Sequence, residues 1–318
     1  DKDTVIYVKN TTEAINKLSY RLCSYDDDSI ILTTSMEHHS NDLPWRNKYK
    51  IDYIEVDEFG RLVMEDLKNK LIKYGDKVKL VTITGASNVT GYINPIYDIA
   101  KLVHEYGCKI LVDGAQLVPH CKISMKPYDS LEHIDYLTFS AHKMYAPFGV
   151  GVLIGPKETF EEGAPDYKGG GTVNVVTKDY VLWADPPEKD EAGTPNVMGV
   201  VALVAAINAI TGIGMKNIEI YEQNIFKYAF RNIAQIPDVK IYSCTDVNCP
   251  RVAIIPFNIN GMHHSMTAEI LSKEFGIAVR NGCFCAQPYV QKILNIPKEE
   301  IGSYANAPMN KRPGMVRL

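Results

Sequence analysis

No run of eighteen or more apolar residues occurs in this chain, so the sequence offers no candidate membrane-spanning helix. Excess charge of either sign is also missing. The chain has 34 Lys and Arg against 38 Asp and Glu, a net charge of −4, and the basic residues form no cluster. A nucleic-acid surface is therefore not expected. The opening Asp1-Lys2-Asp3 lacks the basic start and apolar stretch of a signal sequence. The seven cysteines are odd in number and unevenly spread, which suits a reducing cytoplasm better than a disulfide framework. The histidines and cysteines do not supply four zinc ligands at workable spacing, so no metal is expected. Internal repeats and low-complexity segments are absent. The remaining composition, 46% hydrophobic and 23% charged over 318 residues, is that of an ordinary globular protein with room for two domains.

The informative stretch runs from Lys109 to Gly155. Two apolar runs there end in polar residues: Ile110-Leu111-Val112 leads into Asp113-Gly114-Ala115-Gln116, and Tyr136–Phe139 leads into Ser140-Ala141-His142-Lys143. In an open α/β sheet, ligands gather outside the carboxyl ends of the strands. An acid at one such end and a lysine thirty positions later at another suit a cofactor with a pyridine ring and an aldehyde. Pyridoxal phosphate uses a lysine for its Schiff base and an acid to keep its ring nitrogen protonated.

Earlier segments read as alternating strands and helices. Strands are expected at Val5–Val8, Ser29–Ser35, Asp52–Val56 and Leu80–Thr84, with a helix near Val63–Tyr74. Asn10 is a good N-cap for a helix through Thr11-Thr12-Glu13, with Glu13 placed to complete a capping box. The hydroxyls and free amides of such a helix start also suit an anion. Asn94-Pro95 is expected as N-cap and first residue of a helix whose apolar face is Ile96, Ile99, Ala100 and Val103, ending at Gly107. This alternation predicts an α/β fold with a mostly parallel sheet and helices on both faces. Helices are expected at Val197–Ile213 and Met215–Ile236. After the boundary near Gly214, strands at Lys240–Ser243, Val252–Ile259 and Ile277–Arg280 and a helix near Met266–Phe275 make a smaller α/β domain. The expected domains are therefore 1–214 and 215–318. The glycine run Gly169–Gly171 precedes no helix and is a weak phosphate signal. His263 and His264 read as loop or helix-start residues without chemistry.

Several motifs occur in a fixed order: EHH at Glu37–His39, SNVTG at Ser87–Gly91, DGAQ at Asp113–Gln116, FSAHK at Phe139–Lys143, AGTPN at Ala192–Asn196, and R-x-G-x-x-C-A-x-P at Arg280–Pro288. On these the chain resembles, over nearly its whole length, the class V enzymes of pyridoxal-phosphate fold type I, and among them cysteine desulfurases and selenocysteine lyases. The resemblance implies a fold-type I transferase that works as a homodimer with shared sites, and it assigns roles. Lys143 carries the cofactor and moves the substrate α-proton, while Asp113 holds the ring nitrogen. His38 stacks on the ring and moves protons, and His39 is structural. Asn88 and Gln116 bond the phenolic oxygen, with Asn88 also able to meet substrate. Thr11, Thr12, Ser140 and His142 surround the phosphate, and Thr194 reaches the phosphate of a neighbouring subunit. Arg317, in Gly314-Met315-Val316-Arg317-Leu318, forks onto the substrate carboxylate. Relatives carry a further N-terminal arm and a longer C-terminus, so both ends are expected to be trimmed.

Cysteine chemistry sets the expected reaction. In the resemblance Cys285 is the thiol that accepts sulfur from L-cysteine, leaving a persulfide and alanine. A cation such as Arg280, which is also expected at the substrate with Arg317 and Asn88, would favour its thiolate. Cys283 stands where many desulfurases have histidine, and the resulting Gly-Cys-Phe-Cys also resembles molybdenum-cofactor sulfurases. In an extended loop the two thiols would share a face, which makes Cys283 a relay or resolving thiol. Cysteine and selenocysteine both remain open as substrates, with a sulfur-acceptor protein as partner. An aminotransferase or epimerase would need Lys143 and Asp113 without the thiol. A non-catalytic scaffold or sulfur-relay partner would have no reason to keep that pair.

Overall fold

The inner strands of the large sheet read as nearly unbroken apolar runs because they are covered on both sides. The computed structural model describes residues 2–23 and 28–318. In chain order the first elements are β1 (Asp3–Val8), α1 (Thr11–Arg21), β2 (Ile30–Thr34), β3 (Lys50–Ile54), α2 (Met64–Tyr74), β4 (Val78–Thr84), α3 (Ile96–Glu105), β5 (Lys109–Asp113), β6 (Tyr136–Ser140) and β7 (Gly151–Pro156). The strands form one sheet in the order β1-β7-β6-β5-β4-β2-β3. From β6 through β5, β4 and β2 to β3 the pairing is parallel, whereas β7 runs antiparallel to both β6 and β1.

Alternation along each strand separates two cores. Ile110 and Val112 of β5 pack into one core with Leu67 and Leu71 of α2 and with Ile96, Ile99, Ala100 and Val103 of α3. Leu111, between them, faces the other core with Ala14, Ile15 and Leu18 of α1, together with Trp45 and Tyr136. This is the two-faced burial of a parallel sheet, with a side-chain period of two on the strands and 3.6 on the helices.

The later elements are α4 (Lys157–Glu161), β8 (Val173–Val176), β9 (Val181–Trp183), α5 (Val197–Ile213), α6 (Met215–Ile233), β10 (Val239–Ile241), β11 (Pro256–Ile259), α7 (His264–Phe275), β12 (Arg280–Gly282), α8 (Gln287–Ile293), α9 (Lys298–Ile301) and β13 (Met315–Arg317). Strands β8 and β9 make a hairpin directly after the glycine run. A second sheet has the order β10-β11-β13-β12 with antiparallel pairing throughout.

Three local expectations change. Asn94 does not cap α3. Its side-chain amide instead donates to Thr84 O at 2.7 Å, and Pro95 takes the cap position. The apolar run Val252–Ile259 is a strand only from Pro256 onward. A tight turn closed by Ile254 N to Val252 O at 2.7 Å interrupts it, while Val252 N bonds Gly91 O at 2.9 Å. Ile277 belongs to the end of α7: Gly276 adopts φ +66°, and Ile277 N donates back to Leu271 O at 2.9 Å.

The start of α1 is held where the sheet changes direction. Asn10 accepts from Glu13 N at 3.0 Å as expected for the cap, and the Glu13 carboxylate accepts from Lys9 N at 2.6 Å. The backbone of Asn10 lies so close to β7 that a Cβ on Gly151 would sit 2.6 Å from Asn10 Cα. Backbone cannot yield as a flexible side chain can. Gly151→Ala is expected to destabilise the protein by about 1–3 kcal/mol, the range for overpacking. Denaturant unfolding checks this, and an unchanged midpoint would show that the contact relaxes freely.

Candidate active site

Strands β4 and β5 end level, and β6 runs two residues beyond them to Ser140. Thr84 pairs with Asp113, and Asp113 with Thr138, so the C-terminal ends of β4, β5 and β6 form one edge. Across β7, Gly151 pairs with both Ser140 and Val8. That register brings the N-terminus of α1, two residues after β1, beside the end of β6. Thr11 N donates to Ser140 Oγ at 2.9 Å, and the two hydroxyls also lie 2.9 Å apart.

A cavity of about 190 Å³ opens at this edge. Its walls include Thr11, Thr12, Ser140 and His142 on one side, Asp113 and Gln116 at the strand ends, and His38, Asn88 and Lys143. The structure thus brings together ten residues that the sequence singled out in widely separated segments, Asn10 among them as the helix cap. Asp113 is 3% exposed and accepts from Ala115 N at 2.9 Å through Oδ1. Among the described residues its other oxygen has no hydrogen-bond partner. Burial raises its pKa, opposed by that amide and by the Lys143 ammonium.

Lys143 lies in a single turn of tight helix directly after β6, and its Nζ donates to Gln116 Oε1 at 3.3 Å. The residue is exposed as a whole, yet the protein around its amine lowers the pKa; Asp113 acts against the shift and Arg317 with it. His38 caps the short turn after β2, its Nδ1 accepting from Ser40 N at 3.1 Å. Burial, followed by the charges of Lys143, His39 and Arg317, lowers its pKa to about 4. The imidazole is therefore neutral at neutral pH. An unshared carboxyl oxygen, a lowered amine and a helix N-terminus ringed by hydroxyls can hold a ligand with a basic ring nitrogen, a carbonyl and an anionic tail.

The cysteine segment crosses near this cavity. Phe284 and Cys285 both have left-handed backbones, with φ of 53° and 55°. The loop is therefore bent rather than extended. Cys283 is half-buried and its thiol donates to Pro313 O at 3.2 Å, whereas Cys285 is exposed. Asn88 joins loop and cavity: its side-chain amide donates to Phe284 O at 2.8 Å, and its own carbonyl accepts from Arg317 Nη1. Arg317 also lies over the Phe284 ring, 5.0 Å from its centroid, and burial followed by the Arg280 charge lowers its pKa.

Two predicted residues sit elsewhere. Arg280 is opposite Arg317 in the β12–β13 pair and, among the described residues, makes no hydrogen bond or ion pair to Cys285. Thr194 is exposed and lines a separate cavity of about 210 Å³ with Lys9, Glu13 and Glu191.

Two residues have larger parts than the sequence suggested. His39 fastens the cysteine loop from both sides, its N donating to Cys285 O at 2.6 Å and its Nε2 accepting from Gln287 N at 3.2 Å. The second histidine of EHH was the available signal, but only the fold supplies its partner. Glu37 lies buried beneath the site, accepting from Thr34 Oγ1 at 2.5 Å, Thr84 N at 2.9 Å and Asn41 Nδ2 at 2.7 Å. It ties the ends of β2 and β4 to the turn that presents His38. Burial pushes its carboxyl up to about 8 despite these donors, with Asp113 adding to the rise.

A raised folded-state pKa makes stability greatest below the unfolded value of 4.5 and progressively lost as pH climbs through about 8. Glu37→Gln, neutral at every pH, is expected to flatten the decline over that window, by on the order of a few kcal/mol at its upper end. Urea melts of both proteins at pH 5 and pH 8 measure the difference, and parallel slopes would mean that Glu37 is ionised in the fold.

Comparison with known proteins places these features in context. The sequence profile of the aminotransferase class-V family matches residues 1–299. A probable cysteine desulfurase of Synechocystis is 36% identical over 291 residues, covering 89% of this chain and 67% of that protein. A cysteine desulfurase of Escherichia coli O127:H6 is 34% identical over 307 residues, covering 93% of this chain and 71% of that protein. Among solved structures, the apo cysteine desulfurase of Thermococcus onnurineus NA1 has a TM-score of 0.83 at 30% identity, covering 99% of this chain and 73% of that one.

Proposed function

The chain belongs to the aminotransferase class-V family, and from that premise we propose that it is a pyridoxal-phosphate-dependent cysteine desulfurase in which Cys285 receives the sulfur. The observation that carries this reading is the double attachment of Asn88. It lines the cavity of Asp113 and Lys143, holds the loop of Cys285 through Phe284 O, and receives Arg317. One turn thereby joins an acid–lysine site to an exposed thiol and a guanidinium.

The donor set fits pyridoxal phosphate. Asp113, buried with one free oxygen, would hold the ring nitrogen, and Thr11, Thr12, Ser140 and His142 would hold the phosphate at the start of α1. His38, neutral and half-buried, would cover the ring, with Gln116 and Asn88 at the phenolic oxygen. When bound, the cofactor supplies a protonated pyridine ring that takes up electron density from the substrate's α-carbon, which no side chain can do.

The chain's own residues supply the rest. Arg317 binds the substrate carboxylate with its remaining N–H groups, since only Nη1 is engaged by Asn88 O. Lys143, its pKa lowered, takes and returns the α-proton. Cys285, as thiolate, attacks the substrate's sulfur. A sulfur–sulfur bond forms as the carbon–sulfur bond breaks, the electron pair stays on Cβ, and Cβ takes up a proton. Alanine leaves, and Cys285 keeps a persulfide. Exposure of Cys285 on its bent loop supports onward transfer to a thiol of an acceptor protein, while the engaged thiol of Cys283 supports a supporting place for that residue.

Cys285→Ser is expected to lower alanine release from cysteine by at least about a hundredfold, the scale of losing a covalent nucleophile. Cys283→Ser should stay within about tenfold of the parent. Mass spectrometry after cysteine treatment should find the added sulfur on Cys285. Sulfur on Cys283 alone would reverse the assignment, and alanine formed without any protein-bound sulfur would favour a reaction that needs no thiol.

A homodimer is the second part of the proposal. Thr194 lies outside the Asp113 cavity, and Val197, Met198, Val201 and Val204 at the start of α5 are exposed, as are Tyr221 and Tyr228 of α6. An apolar face next to an unused phosphate-binding candidate supports a second copy that shares the site. Sedimentation equilibrium should report a dimer at micromolar concentration; a monomer with full desulfuration activity would refute shared sites.

A further inference from the structure

Two cysteines outside the active site stand together in a loop built around one buried cation. Cys244 and Cys249 follow β10, and Arg251 is 3% exposed beneath them. Its Nη2 donates to Cys244 O at 2.8 Å and to Asp246 O at 3.1 Å, while Nε donates to Cys249 O at 3.3 Å. The carbonyls of both cysteines thus converge on a single planar fork. Nη1 adds a bond to Ser243 Oγ at 3.0 Å, and the guanidinium lies 5.2 Å and 5.4 Å from the rings of Phe226 and Phe230. Asp246 closes the turn between the thiols, its carbonyl accepting from Cys249 N at 3.1 Å and its Oδ1 from Asn248 N at 2.9 Å. Burial, followed by the neighbouring Cys244 side chain, raises the Cys249 thiol pKa, and the Arg251 charge opposes the rise. Both side chains are half-buried, so small reagents retain access.

We propose that Cys244 and Cys249 form a dithiol site, separate from the catalytic cavity, that is oxidised to a disulfide by low-molecular-weight disulfides of the glutathione class. Cys244 attacks first, because burial raises the Cys249 thiol. Its thiolate attacks one sulfur of the small disulfide, whose sulfur–sulfur bond breaks, and one small thiol leaves with a proton. Cys249 then attacks the Cys244 sulfur of the mixed disulfide, and the second small thiol leaves with the other proton. Two protein thiols lose two electrons and one small disulfide gains them, so no other oxidant is needed.

The site has a structural connection to the active site. Val252 N donates to Gly91 O at 2.9 Å and Ile93 N to Pro250 O at 3.0 Å, so the loop braces the turn that carries Asn88. Cys121 lines the same small cavity as Cys249 and is the competing partner.

Trypsin cuts after Lys240 and Arg251, leaving both cysteines in the single peptide Ile241–Arg251 with no other cysteine. The full chain is treated with oxidised glutathione, blocked with an alkylating agent and digested without reductant. The expected product is that peptide with an internal disulfide, returned to two alkylated cysteines by prior dithiothreitol. Cys249→Ser should stop at a glutathione adduct on Cys244, whereas Cys244→Ser should leave Cys249 at least about tenfold less modified. Both variants should keep the parent's desulfuration rate, which shows that they fold. Adducts at equal yield in both variants, a link from Cys249 to Cys121, or an unmodified peptide while other cysteines oxidise would each overturn the proposal.

Discussion

Register at one edge of the parallel sheet is the constraint on which this site depends. Pairing of Thr84 with Asp113 and of Asp113 with Thr138 sets the ends of β4 and β5 level and carries β6 two residues further, to Ser140. The backbone beyond them is fixed too: Gly85 N donates to Asp113 O and Gly114 N to Thr138 O, both at 2.8 Å. A Cβ on Gly114 would come within 2.7 Å of Val118 Cγ2 and 3.1 Å of Thr138 O, so the chain can leave β5 along this path only with glycine there. A one-residue slip would turn Asp113 from the cavity to the opposite face. The position of the acid is therefore a property of the whole sheet.

A second layer is assembled on that edge from segments far apart in sequence. The turn after β2 brings His38 and His39, the turn after β4 brings Asn88, and the end of the chain brings Arg317. Tyr289 of α8 is fully buried and bonds both Gly60 O at 2.5 Å and Thr90 Oγ1 at 3.1 Å, which pins the helix after the cysteine loop against the Asn88 turn. With His39 gripping the loop at Cys285 and Gln287, the thiol-bearing segment is held at both ends and exposed in the middle. That arrangement suits a nucleophile that must meet substrate on one side and an acceptor on the other.

Electrostatics in the cavity follow from burial more than from pairing. Desolvation is the largest influence on Asp113, Lys143, His38 and Arg317 alike, raising the acid and lowering the three bases. Arg317 and Lys143 both disfavour a proton on His38, and Arg280 disfavours one on Arg317. Such a set is balanced by an anionic ligand, which would offset the crowded positive charge.

The parallel α/β class, most strand and helix positions, and the acid–lysine pair were determined by the sequence itself. Their signals are local: period-two and 3.6-residue apolar patterns, the Asn10 cap, and polar residues ending the runs at Asp113 and Ser140. The motifs also singled out Cys285 and Arg317, which the fold brings to the Asn88 turn. Tertiary structure alone decided what depends on partners distant in the chain. Asn94 reads as a helix cap, but Thr84 O captures its amide. Cys283 and Cys285 read as neighbours on one face of an extended loop, yet two left-handed residues bend it, leaving Cys283 engaged by Pro313 O and Cys285 exposed. Glu37 and His39 read as an accompaniment to His38, and only the approach of β4 and of the cysteine loop gives them their bonds. Hydrophobic period and capping are written within a few residues, whereas burial and charge at a site are sums over segments that meet only when the chain has folded.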